Sequence, residues 1–132
     1  MEIEDNWQEN IEDVSHFLKK IHSFLACDTC QLDIQRRRKN ENPSDPNSTI
    51  NTLFSLNYDT EDVKNEILSL TKENYVETVR DKERKDNNHY RIFTKIINGR
   101  EIYIKLKICD INRIHLMSFH YANWDMRDRP YQ

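Results

Sequence analysis

The feature that most constrains this chain is a pair of alternating segments separated by its only glycine. Tyr90, Ile92, Thr94 and Ile96 alternate with His89, Arg91, Phe93 and Lys95, and Ile102, Ile104, Leu106 and Ile108 alternate with Glu101, Tyr103, Lys105 and Lys107, with Gly99 between the two runs. Alternation of period two marks strands with one face toward a core, so the runs predict an antiparallel hairpin. Side-chain parity then selects the turn. A two-residue Asn98-Gly99 turn pairs 97 with 100 and 95 with 102, which sets Arg91 and Lys95 on the side of Ile102 and Leu106. A three-residue loop, Ile97-Asn98-Gly99, pairs 96 with 100 and 94 with 102, gathers the even apolar residues on one face and gives Gly99 the left-handed position of a bulged turn. The three-residue loop is the expectation, because cations do not suit the core side of a half-buried sheet. It opposes Lys95 to Glu101 and leaves His89, Arg91, Phe93, Lys95, Tyr103, Lys105 and Lys107 on the outer face.

A third strand is expected over 114–121, with Met117 and Phe119 toward the core and Ser118 and His120 on the other face. Upstream the period changes to that of helices. Apolar residues at 7, 11, 14, 18, 21 and 25 form one helix face from Trp7 to Leu25, with Asp5 or Asn6 as the cap and Glu9 placed for a capping box. The segment 27–42 has room for one short strand. The two prolines within 43–48 make that stretch a loop. Thr49 to Leu56 reads as a short helix, Thr60 as the cap of the next, and Thr71 as the cap of a further turn running through Tyr75 and Val79; 80–88 reads as an exposed connector. Helices first and strands afterwards predict one α+β domain over 1–132, N-terminal helices packed on an antiparallel β-sheet.

The apolar stretches are too short to cross a bilayer, and the acidic start contrasts with the basic start of a secretory leader. The expectation is a cytoplasmic protein with no membrane partner. Three cysteines, an odd number, are expected as reduced thiols. Cys27 and Cys30 form a C-x-x-C with His16 and His22 upstream, which raises zinc. The two histidines lie six residues apart on a predicted helix and point in different directions, so no metal and no cofactor is expected. The net charge of −3 argues against a polyanionic partner, but its distribution does not. Six acids and no bases fall in the first fourteen residues, whereas ten bases face five acids between Arg80 and Arg113. A second basic run, Arg36 to Lys39, precedes the proline loop. Either run taken alone reads first as a solvated face, and both are compatible with phosphate contact.

Several segments taken in order resemble one family. These are Tyr58-Asp59-Thr60-Glu61-Asp62-Val63 through Ile67-Leu68-Ser69-Leu70-Thr71, then Tyr75-Val76, then Ile97-Asn98-Gly99-Arg100-Glu101-Ile102-Tyr103-Ile104-Lys105-Leu106-Lys107, then Ser118-Phe119-His120. Over roughly 50–132 the chain resembles the MqsR (motility quorum-sensing regulator) toxins, with Arg36-Arg37-Arg38-Lys39-Asn40 as a shorter basic motif ahead of the match. The resemblance implies a RelE-like fold, a ribosome-independent mRNA interferase activity and a cognate antitoxin, in a homodimer or a toxin–antitoxin hetero-oligomer. It places the family's active-site tyrosine on Tyr103 and its basic residue after a Ser-Phe pair on His120. A family lysine would fall near Val76 or Glu77, neither of which supplies that charge, and a family glutamine would fall near His89 or Tyr90.

Metal-free RNA cleavage requires a base for the 2′-hydroxyl, positive charge or donors for the phosphorane and an acid for the departing 5′-oxygen. His120 is suited to base or acid work, Tyr103 to donating a proton or orienting the scissile group, and Lys105 to holding the phosphate. The catalytic candidates are therefore His120, Tyr103 and Lys105, and the RNA-binding candidates are Arg91, Lys95, Lys107, His89, Arg37 and Arg38. The alternative is a non-catalytic interaction module, an inhibitor or adaptor, that uses the same basic face to bind an acidic protein or a nucleic acid. A DNA-reading regulator fits less well, since no helix carries a cluster of basic and amide residues.

Overall fold

The computed structural model describes residues 5–81, 88–123 and 129–132, so most of the expected 80–88 connector lies outside the described residues. Along the chain run β1 (Asn6–Trp7), α1 (Ile11–Leu25), β2 (Gln31–Ile34), α2 (Thr49–Leu56), α3 (Thr60–Leu68), a 3-10 turn (Lys72–Asn74), β3 (Tyr75–Val79), β4 (Tyr90–Ile97), β5 (Arg100–Asp110) and β6 (Arg113–Tyr121). The strands form one sheet in the order β1-β3-β4-β5-β6-β2. Every pairing is antiparallel except that of β2 with β6, which is parallel. The α+β expectation therefore holds in its coarse form, with a parallel edge strand added.

The helices supply one wall of the core. Val14, Phe17, Leu18, Ile21 and Leu25 of α1, Leu53 of α2, and Val63 and Ile67 of α3 gather with Phe93, Ile97, Ile102, Ile104, Leu106, Ile114, Leu116 and Phe119 of the sheet. Helix α1 begins at Ile11, not at Trp7, because Asn10 takes the cap and its side chain accepts from the Asp13 amide at 2.8 Å. Asn6 and Trp7 pair instead with Val79 and Thr78 of β3. Helix α3 is capped by Asp59, not Thr60, in a reciprocal box with Asp62. Thr71 caps only the 3-10 turn, after which Tyr75–Val79 is extended, as its β-branched and aromatic residues favour. Helix α2 lies along β6, where β2 has already ended: the Thr49 and Thr52 hydroxyls accept from the Phe119 and Tyr121 amides at 3.2 Å each. Those amides would otherwise be unsatisfied in a buried place.

The hairpin departs from the parity expectation. Ile97 pairs with Arg100, Lys95 with Ile102 and Phe93 with Ile104, which is the two-residue Asn98-Gly99 turn. Both turn residues have positive φ, 52° and 81°, as the tight turn compatible with sheet twist requires. Arg91, Phe93 and Lys95 therefore face the helices, and Tyr90, Ile92 and Thr94 lie on the outer face. The helices provide what the cations need. Arg91 donates to Glu9 at 2.8 and 3.2 Å and its guanidinium lies over the Phe17 ring, while Lys95 donates to Ser69 at 2.6 Å and pairs with Glu66 at 3.5 Å. Strand β6 carries a second surprise, a bulge at Met117: Lys105 pairs with Ser118 but Leu106 with Leu116. Ile114, Leu116, Phe119 and Tyr121 are buried inward, Met117 is not, and Ser118 and His120 face outward as expected.

The turn is testable. A Cβ on Gly99 would meet nothing within 4 Å, so Gly99→Ala probes conformation alone. At φ 81° it is expected to cost about 1 kcal/mol in urea unfolding. A neutral substitution would contradict the two-residue turn.

Candidate active site

Strands β5 and β6 bring three expected residues together. Tyr103 and His120 are register partners, and their rings stack with centroids 5.0 Å apart and planes 16° from parallel. The next outward pair along the same two strands is Lys105 with Ser118. Ser118 is fully buried, and the Arg38 guanidinium, arriving from the segment after β2, donates to its hydroxyl. The outer face thus holds Tyr103, Lys105, Ser118, His120 and Arg38 as one group. Beside it the Tyr90 ring lies 5.2 Å from the ammonium groups of both Lys105 and Lys107.

Burial and Arg38 set the protonation of this group. Burial pushes the Tyr103 phenol up, with Arg38 opposing and Glu77 reinforcing the shift. Burial and Arg38 pull Lys105 down, against Asp81 and Glu77. Burial is also the largest cause holding His120 below its ordinary value; its hydrogen bond to the Tyr121 carbonyl opposes this, Arg38 lowers it further, and Asp45 and Glu41 raise it. That bond, 2.9 Å from Nδ1, fixes the tautomer, since a carbonyl only accepts. A neutral His120 carries its proton on Nδ1 and leaves Nε2 as a lone pair. Among the described residues nothing hydrogen-bonds to Nε2.

The other RNA-binding candidates are elsewhere. Arg91 and Lys95 are on the helix side, held by Glu9 and Glu66, because the two-residue turn sets the odd positions of β4 inward. Lys107 shares the outer face but is 3% exposed and ion-paired with Asp81. His89 stands edge-on to Trp7 at 5.0 Å, near the β1 edge. Arg37 is exposed and its carbonyl accepts from the Gln35 side chain.

One cluster had no local signal. The parallel pairing of Asp33 with His115 puts the Asp33 carboxylate 2.8 Å from His115 Nδ1 and 2.9 Å from Arg113, with Gln35 3.1 Å from His115 Nε2. Arg113 and His115 hold the Asp33 carboxyl below the usual carboxylate range. Its hydrogen-bonded partners are 80 or more positions apart in the chain, so only the fold unites them.

Cys27, Cys30 and Cys109 are free thiols, and the His22 ring bonds the Ile67 carbonyl at 3.2 Å. Among the described residues no group of three His, Cys, Asp or Glu side chains is placed to hold a metal ion, and no helix is long and apolar enough to cross a membrane. Fold and site together define an α+β protein with a six-stranded, mostly antiparallel sheet and a polar, stacked Tyr–His pair on its outer face. Neither a protein-family model, a curated protein nor a solved structure matches the chain.

Lys107 separates a structural cation from a binding one. Lys107→Ala leaves Asp81 buried without this partner and is expected to lower stability by about 3 kcal/mol in urea unfolding. A loss below about 1 kcal/mol would mark the pair as an ordinary surface one.

Proposed function

We propose that this chain is a metal-independent endoribonuclease, an mRNA interferase toxin of the MqsR type with a RelE-like fold, acting on single-stranded RNA in the cytoplasm and neutralised by an antitoxin protein. The observation that carries the reading is the Tyr103–His120 stack beside Lys105.

His120 is the base. Its depressed pKa keeps the ring neutral near pH 7, and its Nε2 lone pair takes the proton of the 2′-hydroxyl. The O2′–P bond forms and the P–O5′ bond breaks, giving a 2′,3′-cyclic phosphate and a 5′-hydroxyl end. Lys105 stabilises the charge that develops on the phosphorane oxygens. Tyr103, whose raised pKa keeps it protonated, gives its proton to the departing 5′-oxygen, and the imidazolium then reprotonates the phenolate. The stacking keeps the two rings adjacent, their centroids 5.0 Å apart, for that return.

Purified protein is expected to cut single-stranded RNA in EDTA and leave a cyclic phosphate. His120→Ala is expected to lower the rate by about 10²–10⁴ with the fold intact, and Tyr103→Phe, which removes the proton donor, by a comparable factor. The base must be neutral, so the rate rises with pH through a value below the ordinary histidine range and is level by about pH 7. If a folded His120→Ala variant still arrests growth on expression and still cuts RNA, the base assignment is wrong. Growth arrest with no cutting by either protein would leave the interaction module.

A further inference from the structure

Arg38 reaches the outer face from a segment 80 residues away in sequence from the strand it touches. Its neighbours show how it is held. Gln35 extends the β2–β6 pairing by donating its amide to the Leu116 carbonyl at 2.9 Å, and Arg36 turns to the α3 side to donate to Thr60 at 3.4 Å. Strict strand alternation would set Arg38 on the same face as Arg36; instead the chain, no longer in a strand here, brings the Arg38 guanidinium to the outer face, where it donates to Ser118. Beyond it the segment stays against the same end of the sheet, with the Asn47 side chain donating to Asn123 at 2.9 Å.

Ser118 is the register partner of Lys105, so the guanidinium that Ser118 anchors lies next to the Lys105 position. Among the described residues neither Arg38 nor Lys105 has a carboxylate within salt-bridge distance, whereas Arg91, Lys95, Lys107 and Arg113 each have one. Two cations side by side, with no anion paired to either, repel each other in a partly buried place. An anion bridging them relieves that repulsion, and a guanidinium fork matches the geometry of a phosphate.

We propose that Arg38 and Lys105 form a two-cation cradle for a single phosphodiester, with Ser118 as the positioning residue that aims Arg38, and that the cradle is complete only when the segment after β2 is docked on β6. The ligand's identity as RNA rests on the ribonuclease reading; the anion site itself does not. Arg38 also bears on the proposed base. The charged and titratable groups around His120 are Tyr103 and Lys105 on β5 and Arg38, Glu41 and Asp45 on the segment after β2, and Arg38 lowers the proton affinity of the ring. Removing Arg38 should let it rise.

The test uses the full chain and a short single-stranded oligonucleotide that cannot be cut because its ribose 2′-hydroxyls are methylated. Its affinity is measured across a salt series, and His120 is titrated by NMR. Arg38→Gln is expected to weaken binding by about tenfold, the scale of one charge-assisted hydrogen bond. It should also make the log–log salt slope shallower, by no more than about 0.7, the change for one phosphate neutralised on a single strand. The His120 titration should rise in the same variant. Lys105→Gln should reproduce the affinity and slope changes, and the double variant should lose less than the two singles combined, since both cations grip one anion. Ser118→Ala keeps both charges and should lower affinity several-fold while the slope stays near that of the unaltered protein. Arg38→Lys controls for charge and should restore most of the slope. An unchanged slope and His120 titration in Arg38→Gln, or fully additive losses in the double variant, would overturn the cradle. Failure of the ribonuclease reading looks different: oligonucleotide binding would depend on Arg38 and Lys105 while no RNA with free 2′-hydroxyls is cut.

Discussion

The register of the β4–β5 hairpin decides what every other element meets, because a slip of one residue exchanges the two faces of a strand. Strand β5 is insensitive to the choice, since Ile102, Ile104 and Leu106 share its one apolar face. Strand β4 has two usable faces. One offers Tyr90, Ile92, Thr94 and Ile96, the other Phe93 and Ile97 together with two cations. Burying either set stabilises by a similar amount, on the order of 2 kcal/mol per large side chain. The helix-side set gains more because Phe93 stacks on Phe17 at 6.2 Å and meets Tyr75 edge-on at 5.8 Å, aromatic pairs worth about 1 kcal/mol each beyond area. The turn pushes the same way, with an asparagine and a glycine both at positive φ.

The cations then cease to be a penalty. Arg91 and Lys95 keep their aliphatic stems in the core and bring their heads to carboxylates supplied from the helix layer. Glu9 is the more consequential partner. Its carboxylate joins Arg91 and Thr78, its amide donates to the Tyr75 hydroxyl, and its carbonyl accepts from Tyr131, so one residue just ahead of α1 ties β3, β4 and the end of the chain together. This explains why the helix cannot start at Trp7: Glu9 is committed to the sheet, and Asn10 is the first position free to cap.

Legibility in the sequence follows the range of the interactions. The positions of α2, β5, the 43–48 loop and the outward placement of Tyr103, Lys105, Ser118 and His120 rest on local periodicity and turn chemistry, and they are readable. The face of β4 is not, because its salt-bridge partners lie 82 and 29 residues away. The face of β6 is only half readable, because a single-residue bulge at Met117 leaves no mark in the alternation until pairing is known. Of the candidate site, the strand residues come from parity. Arg38 is visible only as one of a basic run, and its selection over Arg36 and Arg37 depends on which of three consecutive residues the docked segment turns outward.

Strand parity also bears on the apparent conflict between a net acidic chain and the phosphate-binding face proposed for it. The bases of the 80–113 window do not act as one patch. Among the window's described cations, Arg91 and Lys95 are neutralised inward, Lys107 is locked to Asp81 and Arg113 pairs with Asp33, whereas Lys105 has no carboxylate within salt-bridge distance and is joined by Arg38 from outside the window. Burial works against protonation of Lys105 and His120, and the Arg38 charge lowers both further. An anion seated between the two cations reverses that influence, because it favours the charged form of every cationic group near it. Binding and proton affinity are then coupled in both directions, since whatever raises the imidazole's proton affinity on anion binding must equally tighten the anion when the imidazole is protonated. Burial, helped by Arg38, holds the His120 ring below its ordinary proton affinity with Nε2 open; a phosphodiester bound at the proposed cradle would make the same ring a stronger base for the proposed cleavage.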